Sequence, residues 1–332
     1  MKRIGYLYDS IADIDNLWHA FVKAKRGRES KSSVNLFLKK SSQEIIKLHK
    51  MLVNEQVDVG TYHCFRIFEP KERVICAASF SDRVLHHAIM NVCHPYFESF
   101  QIFDSYATRI GKGQYAALNR AVLFSREYSW FCKLDVRKYF DSVDHALLLS
   151  FLGRRFKDER LLRLFKLIIQ SYSTVNSKGL PIGNLTSQYF ANFYLAHADH
   201  FIKETLKAKA YVRYMDDMVL WANNKVELKL LRDSLSGFIK ENLNLELRPD
   251  CLNSIDKGLP FLGYVIYRNR ITLSATSKKR FLRKMRICSS NLSREHWTQE
   301  EYSRHVLPLI AFTQYSDSKS LRIKCISTLE VD

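Results

Sequence analysis

The sequence contains no apolar run long enough to cross a membrane or to act as a secretion signal. No window approaches the roughly 18 apolar residues that a spanning helix needs, and charges interrupt the opening MKRIGYLYDSIADIDNLW. Internal repeats and low-complexity tracts are missing as well. We therefore expect a soluble, globular, cytoplasmic protein with no membrane partner.

Paired cysteine motifs are absent too. The chain has seven cysteines, an odd number, scattered widely and without a C-x-x-C pair. This pattern predicts reduced, mostly buried thiols and argues against a zinc site. The seven positions are Cys64, Cys76, Cys93, Cys132, Cys251, Cys288 and Cys325.

Acidic residues are few relative to basic ones. The chain carries 34 aspartates and glutamates against 52 lysines and arginines, which gives a formal net charge of +18. Such an excess attracts polyanions and speeds their encounter, so nucleic acid is the leading partner, although a soluble protein that happens to be basic would show the same balance. With 332 residues, 46% of them apolar, the chain is long enough for about two domain-sized units.

The pattern of apolar residues and turn signals predicts an α+β chain. Residues 1–60 form the expected basic helical N-terminal extension, in which KAKRGRESKSS separates two helices and is either a phosphate-binding arm or a solvated loop. A hairpin over 62–79 and a helix capped by Ser81 follow. Further strands are expected in WFCKLDV, in YVRYMDDMVLW, and near LELRP, PFLGYVIY and RITLSA, as a sheet with helices on one face.

Two adjacent aspartates interrupt an apolar stretch. Asp216 and Asp217 lie in YVRYMDDMVLW, where strand-forming residues flank them on both sides. Two carboxylates at the tip of a tight hairpin repel each other unless a cation neutralises them, and magnesium prefers oxygen ligands from carboxylates and substrate phosphates. A lone pair of aspartates is also ordinary turn composition, so its meaning depends on what else the chain provides.

A third carboxylate ends an upstream strand. Asp135 follows the apolar residues of WFCKLDV, just before the chain turns towards a helix. Because neighbouring residues of an extended chain point to opposite sides, we expect Asp135 and Asp216 to bridge two ions and Asp217 to be the looser ligand. Two ions about 3.5 to 4 Å apart would activate an attacking 3′-hydroxyl and stabilise a pyrophosphate leaving group. The expected chemistry is nucleotide addition.

Together these motifs resemble those of a reverse transcriptase of the bacterial retroelement type, over about residues 66–263. YMDD matches the metal-binding hairpin of that family, KLDVRKYFDSVDH its first-aspartate motif, DSYATRIGKGQYAAL its template-side motif and PFLGYVI its primer grip. The resemblance implies a right-hand polymerase that copies template RNA into cDNA from a primer strand and dNTPs, with two Mg²⁺ ions or with Mn²⁺ instead. It implies catalytic roles for the three aspartates and places the metal-binding positions at Asp135, Val136, Asp216 and Asp217.

The resemblance also divides the chain into the parts of a right hand. Fingers would cover residues 61–130 and 155–185. The palm, an antiparallel sheet backed by helices, would cover residues 131–154 and 186–275. A short helical thumb would cover residues 276–332. In the thumb, SKKRFLRKMR repeats its charges at helical spacing, as expected of a stripe that follows a nucleic-acid backbone or of a solvated helix face. The nucleic-acid-binding candidates there are Lys278, Lys279, Arg283 and Arg286.

Further positions are implied to surround the incoming nucleotide. FRIFEPKERVI, with Lys71 and Arg73, resembles the fingertip strands that hold the triphosphate. Phe140 occupies the position of the ring that excludes a ribose 2′-hydroxyl and so favours deoxynucleotides, whereas Tyr139 is the better candidate for the core. The other nucleotide-binding candidates are Ile182, Gly183 and Gln188.

GLPIGNLTSQYFANFYL indicates a subfamily. Its Gly183-x-x-x-Ser187-Gln188 resembles the enzymes of diversity-generating retroelements, where group II intron enzymes typically show Gly-x-x-x-Ser-Pro. Those enzymes misincorporate nucleotides opposite template adenine during mutagenic retrohoming. An apolar Ile182 in place of a glutamine would remove a hydrogen bond that favours correct base-pair geometry. The resemblance also implies a small basic accessory protein that forms a ring. The alternatives are a defence-associated or group II intron-like reverse transcriptase and a catalytically silent nucleic-acid-binding relative.

Two departures from the family pattern bear on function. Many reverse transcriptases carry a lysine after the metal hairpin, where this chain reads NLELRPDCLNSIDKG, with Asp250 and Cys251 near the expected place. Arg248 or Lys257 is a candidate substitute, and the role stays unassigned. No maturase, nuclease or RNase H-like segment follows the thumb, so we expect a stripped enzyme that borrows binding surface from a partner.

Overall fold

The computed structural model describes residues 3–68 and 72–329, with side chains up to Ser327. Helices alternate with short antiparallel strands, which confirms the predicted α+β class. The helices are α1 (Tyr8–Ala12), α2 (Ile14–Lys25), α3 (Ser32–Lys39), α4 (Ser41–Val53), α5 (Phe80–Glu98), α6 (Gln114–Glu127), α7 (Tyr139–Ser142), α8 (His145–Arg155), α9 (Glu159–Gln170), α10 (Leu185–His200), α11 (Lys225–Leu243), α12 (Ala275–Ser293), α13 (Gln299–Gln314) and α14 (Lys319–Leu329). The strands are β1 (Tyr62–Ile67), β2 (Arg73–Ala78), β3 (Trp130–Asp135), β4 (Ala210–Tyr214), β5 (Asp217–Ala222), β6 (Cys251–Ser254), β7 (Leu259–Phe261), β8 (Tyr264–Ile266) and β9 (Ile271–Leu273).

The N-terminal extension forms four helices, α1 to α4, where the sequence predicted two. Asp13 separates the first pair because its carboxylate caps α2, accepting hydrogen bonds from the backbone N–H groups of Asp15 and Asn16 at 2.9 and 3.0 Å. Lys40 separates α3 from α4. Apolar side chains of all four helices join the core that also contains α5.

The start of α5 also differs from the prediction. Ser79, not Ser81, is the capping residue, because its Oγ accepts a hydrogen bond from the backbone N–H of Asp82 at 3.1 Å. Ser79 follows directly on β2 and is still extended, with a ψ of 159°. The helix therefore begins as soon as the hairpin ends, and Ser81 lies within its first turn.

The hairpin of β1 and β2 is closed by a disulfide. Its register places Cys64 opposite Cys76, and the two sulfurs are bonded. The prediction of reduced thiols is therefore wrong for this pair, because antiparallel pairing brings together two side chains that are 12 residues apart in sequence. The other five cysteines are free, and four of them are buried.

The central sheet has four antiparallel strands in the order β4-β5-β3-β6. Its register pairs Asp135, at the end of β3, with Asp217, at the start of β5. The strand predicted near LELRP does not form: that stretch contributes a single bridge between Val136 and Leu247, and pairing with β3 resumes only at β6. Between the bridge and β6 the register shifts by one residue, from Val136 opposite Leu247 to Lys133 opposite Cys251, as in a β-bulge.

Both faces of the central sheet are covered, whereas the sequence predicted helices on one face. Cys132 and Leu134 of β3 belong to a core with α8, α10 and α11. Phe131 faces a second core, built with α6 and the C-terminal sheet of β7, β8 and β9. Because side chains alternate along a strand, Lys133 and Asp135 lie on the same face as Phe131.

The C-terminal helices α12, α13 and α14 surround a small core of their own, centred on Phe281, Met285 and Cys325. The hydroxyl of Tyr264 donates to the backbone carbonyl of Phe312 at 2.6 Å and so connects the C-terminal sheet to α13. Across the two described ranges, every helix falls short of the combination of length and apolarity that crossing a membrane requires.

Candidate active site

The YMDD motif forms a two-residue turn between β4 and β5. Tyr214 pairs with Asp217 across the turn, which leaves Met215 and Asp216 at its tip. Met215 has a φ of 55°, in the left-handed region that glycine normally occupies in such hairpins. A larger residue is strained there, so the turn needs support from its surroundings to keep Asp216 in place.

Two of the three predicted aspartates face each other. The carboxyl groups of Asp135 and Asp216 lie within hydrogen-bonding reach, and burial together with the charge of Asp135 raises the pKa of Asp216. Asp217 turns towards a lysine instead. In the described part of the chain, no three acidic, histidine or cysteine side chains are already grouped as a metal site. The structure thus brings two of the predicted ligands together and keeps the third beside them.

Lys133 holds the third carboxylate. Its Nζ lies 3.1 Å from Asp217 Oδ1 and donates to the carbonyl of Pro260 at 3.1 Å. Burial raises the pKa of Asp217 to about 6, although the charge of Lys133 opposes the rise. Apart from this ion pair, the buried Oδ1 has no hydrogen-bond partner among the described residues. Sequence reasoning missed Lys133, although its place two residues before Asp135 in a strand puts both side chains on one face.

Arg248 is the basic residue that reaches the first aspartate. Its Nη1 lies 3.3 Å from Asp135 Oδ2, and its backbone N–H donates to the Asp135 carbonyl at 2.8 Å. Lys257, the other candidate for the basic residue after the hairpin, is exposed at the end of a single 3₁₀ turn. Of the two, Arg248 is the one in contact with a carboxylate of the site.

Val136, predicted as a metal-binding position, has a fully buried side chain. It forms an isolated bridge with Leu247, and the hydrogen bonds of that bridge come from the residues on either side of Val136. The carbonyl of Val136 therefore takes no part in this pairing. Only the main chain of Val136 could serve as a ligand.

Arg73 brings positive charge to the carboxylates from the β1–β2 hairpin. It is exposed at the start of β2, and its charge opposes the rise in the pKa of Asp216 that burial and Asp135 cause. Lys71, predicted to act with it, lies outside the described residues. Of the two cations predicted for the fingertips, the structure therefore locates one, and it lies near the paired aspartates.

The segment around Gly183 is docked on β2. The Ile182 carbonyl accepts a hydrogen bond from the backbone N–H of Cys76 at 2.9 Å, and the side-chain amide of Asn184 donates to the Cys76 carbonyl at 2.9 Å. Gly183 has a φ of 114°, and a Cβ there would lie 2.8 Å from Cγ2 of Ile75. Glycine is thus required at 183, and the half-buried Ile182 is fixed against the hairpin.

Phe140 and Tyr139 occupy different environments. Tyr139 is buried, as the sequence indicated, and its hydroxyl donates to the Ala191 carbonyl. Phe140 is partly exposed and packs edge-on against Tyr139 with ring centroids 5.8 Å apart. Its carbonyl accepts from the N–H of Leu180 at 2.7 Å, which ties it to the loop before α10. Gln188, also half-buried, lies in the first turn of α10.

The four thumb candidates are exposed on α12 but do not share one face. Successive side chains on a helix point about 100° apart around its axis. On α12 this puts three side chains within about 60° of one another, on the side opposite the buried Phe281: Lys279, Arg283 and Arg286. The side chain of Lys278 points about 80° away from the edge of this group. A stripe along the helix therefore comprises the first three, and Lys278 points in another direction.

The comparison with known sequences identifies the family. Residues 69–266 match the reverse transcriptase (RNA-dependent DNA polymerase) family, to which this chain therefore belongs. The chain is 22% identical to the COX1/OXI3 intron 2 protein of Saccharomyces cerevisiae, over 76% of this chain and 38% of that protein. It is 21% identical to the group II intron-encoded protein LtrA of Lactococcus lactis subsp. cremoris, over 63% of this chain and 46% of that protein. The chain thus spans less than half the length of either relative.

Among solved structures, the fold is similar to that of telomerase from Candida tropicalis, solved in complex with a TWJ fragment of telomeric RNA. The TM-score is 0.51 at 12% sequence identity, with 90% of this chain and 59% of that chain covered. At this identity the likeness concerns the fold alone. It confirms the predicted right-hand polymerase fold.

Members of this family generally use divalent metal ions, and the residues of the site fit such an ion. Asp135 and Asp216 supply hard oxygen ligands whose mutual repulsion a cation would relieve. Asp217 adds a buried carboxylate oxygen without a directed hydrogen bond. The donor set is made of oxygens only, which suits a hard divalent ion.

Proposed function

We propose that this chain is an RNA-directed DNA polymerase that adds deoxynucleotides to a primer strand on a template RNA. The observation that carries the proposal is the contact between the carboxyl groups of Asp135 and Asp216 in a chain of the reverse transcriptase family. Two like charges held together at the end of a sheet are costly unless a cation offsets them. The net charge of +18 suits a polyanionic template and product.

In this proposal Asp135, Asp216 and Asp217 are the catalytic residues and hold two Mg²⁺ ions, with the carbonyl of Val136 as a further ligand and Mn²⁺ as an alternative metal. When bound, the ions would make the primer 3′-hydroxyl more acidic and offset the charge of the departing pyrophosphate. Asp135 and Asp216 would orient the reacting groups, because Asp135 ends β3 and Asp216 lies in the turn between β4 and β5 of the same sheet. Lys133 draws Asp217 aside and makes it the weaker ligand.

The nucleotide would bind between the β1–β2 hairpin and the central sheet. Arg73, whose charge acts to lower the pKa of Asp216, would contact the triphosphate together with Lys71. The partly exposed ring of Phe140 would lie under the sugar and exclude a 2′-hydroxyl. Ile182, together with Arg73, would lie beside the nascent base pair. Gly183 and Gln188 are proposed as further nucleotide-binding positions. The same proposal includes the predicted bounds of fingers, palm and thumb. It also includes contacts between nucleic acid and four thumb residues: Lys278, Lys279, Arg283 and Arg286.

Within the family, we favour the enzyme of a diversity-generating retroelement, which would copy RNA with errors opposite adenine for mutagenic retrohoming. The support is the Gly183-x-x-x-Ser187-Gln188 pattern and the apolar Ile182. The proposal includes a small basic accessory protein that forms a ring. A group II intron-like reverse transcriptase is the second candidate, because the yeast and Lactococcus relatives are both intron proteins.

Primer extension on a defined RNA template with Mg²⁺ tests the polymerase. The intact chain should extend the primer, and Asp216→Asn should not. Asp233→Asn is the matched control, since Asp233 is exposed on α11, where it pairs with Arg232. Equal extension by the intact chain and Asp216→Asn would reject the mechanism, and no extension by the intact chain would favour a catalytically silent relative.

Sequencing the cDNA separates the two subfamilies. A diversity-generating enzyme should concentrate its errors opposite template adenine, whereas an intron-like enzyme should show no such bias. Ile182→Gln should lower the errors opposite adenine and preserve extension. An unchanged error rate in that variant would remove Ile182 from the proposed role.

A further inference from the structure

A buried arginine precedes the YMDD turn on β4. Arg213 is fully buried and forms an ion pair with Asp199 of α10, which is equally buried. Its Nε donates to the two carboxylate oxygens at 2.8 and 2.9 Å, and the hydroxyl of Tyr211 donates to the same carboxylate at 2.8 Å. Asp199 thereby balances the charge of Arg213 and fixes the plane of the guanidinium.

The Nη1 and Nη2 groups of Arg213 reach three further places: the turn, Asn192 of α10 and the segment before α6. Nη1 donates to the Met215 carbonyl at 3.1 Å and to Asn192 Oδ1 at 2.7 Å. Nη2 donates to Gln101 Oε1 and to Ser105 Oγ, at 3.2 Å each. One planar group therefore contacts the turn that carries Asp216 and also the segment that precedes α6.

The backbone of Arg213 strengthens the second connection. Its N–H donates to the carbonyl of Asp104, and its carbonyl accepts from the N–H of Tyr106, at 3.0 Å each. Asp104 and Tyr106 belong to the sequence expected to lie on the template side, residues 104–118. The position of this segment and the conformation of the turn are thus linked through a single residue.

We propose that Arg213 is a positioning residue: its guanidinium holds the strained Met215 turn so that Asp216 faces Asp135, and it couples that turn to residues 101–106. The left-handed Met215 is unfavourable by itself, and the charged hydrogen bond to its carbonyl compensates for the strain. Lysine cannot replace the arginine, because an ammonium group lacks the planar fork that serves several acceptors at once. The inference rests on the proposed function only in assuming that the carboxylates bind a divalent ion.

The test compares Arg213→Lys with Arg155→Lys. Arg155 is a matched control because it is also buried, at 6% exposure, and donates to Tyr96 O and Ser99 Oγ rather than to the turn. The readout is the Mg²⁺ midpoint, the free Mg²⁺ concentration at which half of the sites are occupied in a calorimetric titration, which does not depend on activity. Since residues that orient metal ligands typically contribute about tenfold or more to affinity, we expect Arg213→Lys to raise this concentration about tenfold. Arg155→Lys should leave it unchanged, even where it lowers stability.

Ser105→Ala tests the coupling and also serves if Arg213→Lys does not fold. It removes one acceptor of Nη2 on the template side and leaves the turn itself intact, so the Mg²⁺ midpoint should rise in the same direction by a smaller factor. If Arg213→Lys folds and has the same Mg²⁺ midpoint as the intact chain, the inference is overturned. If Arg213→Lys does not fold, an unchanged midpoint in Ser105→Ala overturns it. Primer extension by the intact chain is scored separately: its absence would reject the polymerase, while a shifted midpoint would still support Arg213 as a positioning residue.

Discussion

The ammonium group of Lys133 lies 3.1 Å from the carboxylate of Asp217. The register of β3 and β5 puts Asp135 opposite Asp217, so Lys133 lies diagonally across from Asp217 on the same face of the sheet. The second contact of the ammonium, with the Pro260 carbonyl, connects this carboxylate to β7. Lys133 is thus the counter-ion of Asp217 and an anchor for the C-terminal sheet.

Lys133→Met should lower kcat/KM for primer extension about tenfold or more, because a hydrogen bond to a charged group typically contributes about 1.5–3 kcal/mol. The variant loses the bond to Pro260, in the stretch that resembles a primer grip, and leaves Asp217 without its counter-ion. Steady-state extension with varied primer–template measures the effect. Lys225→Met is the control, since Lys225 lies over the Trp130 ring at 4.9 Å, away from the carboxylates. Equal losses in both variants would contradict a specific role for Lys133.

Asp216→Asn should stabilise the metal-free protein at neutral pH. Burial and the Asp135 carboxylate raise the pKa of Asp216 above its unfolded value, so the ionised form is disfavoured in the folded state. This cost is present above the raised pKa and disappears as the pH falls to the unfolded pKa of about 4. We expect a gain on the order of 1–2 kcal/mol near neutral pH, since one pKa unit corresponds to about 1.4 kcal/mol.

Denaturant unfolding in EDTA, at neutral pH and at about pH 4, measures this gain. The difference between Asp216→Asn and the intact chain should vanish at the lower pH. Adding Mg²⁺ at neutral pH should reverse the order, because the ion stabilises the intact chain by binding its carboxylates. A variant that is less stable than the intact chain without metal would show that the paired carboxylates carry no such strain.

The parts of the site that depend on local pattern could be predicted from the sequence. Asp216 and Asp217 lie between two runs of strand-forming residues, and Asp135 ends a third, so the hairpin and the upstream carboxylate follow from alternation and turn chemistry alone. The capping carboxylate of Asp13, which divides the N-terminal helices, is likewise a local signal.

Contacts across elements could not be predicted in this way. Arg248 reaches Asp135 next to the bridge between Val136 and Leu247, and the strand predicted near LELRP does not indicate which strand it would pair with. Arg213 reads as an ordinary strand residue until α10 places Asp199 against it. Cross-strand register is set by packing between segments far apart in the chain, and single-sequence patterns do not contain it.

Reduction of the Cys64–Cys76 disulfide should loosen the β1–β2 hairpin. A cross-link over a loop of this size typically stabilises by about 2–3 kcal/mol, through the entropy of the open chain. Hydrogen exchange of β1 and β2 should therefore accelerate in the presence of dithiothreitol, and Cys64→Ser should show the fast exchange with or without the reductant. Thiol counting by mass spectrometry should give five free cysteines before reduction, in line with the five free thiols of the fold. Seven would contradict the bond.

Phe140→Ala should weaken discrimination against ribonucleotides. Phe140 is partly exposed next to the buried Tyr139, on the short helix that follows Asp135, and loss of the ring would open space for a 2′-hydroxyl. Removal of a steric contact of this kind typically changes selectivity by about 10–100-fold. Competing incorporation of a dNTP and its rNTP measures the ratio of their kcat/KM values. Phe140→Tyr keeps the ring and should keep the selectivity of the intact chain, so a Phe140→Ala variant that is equally selective would place the gate at another residue.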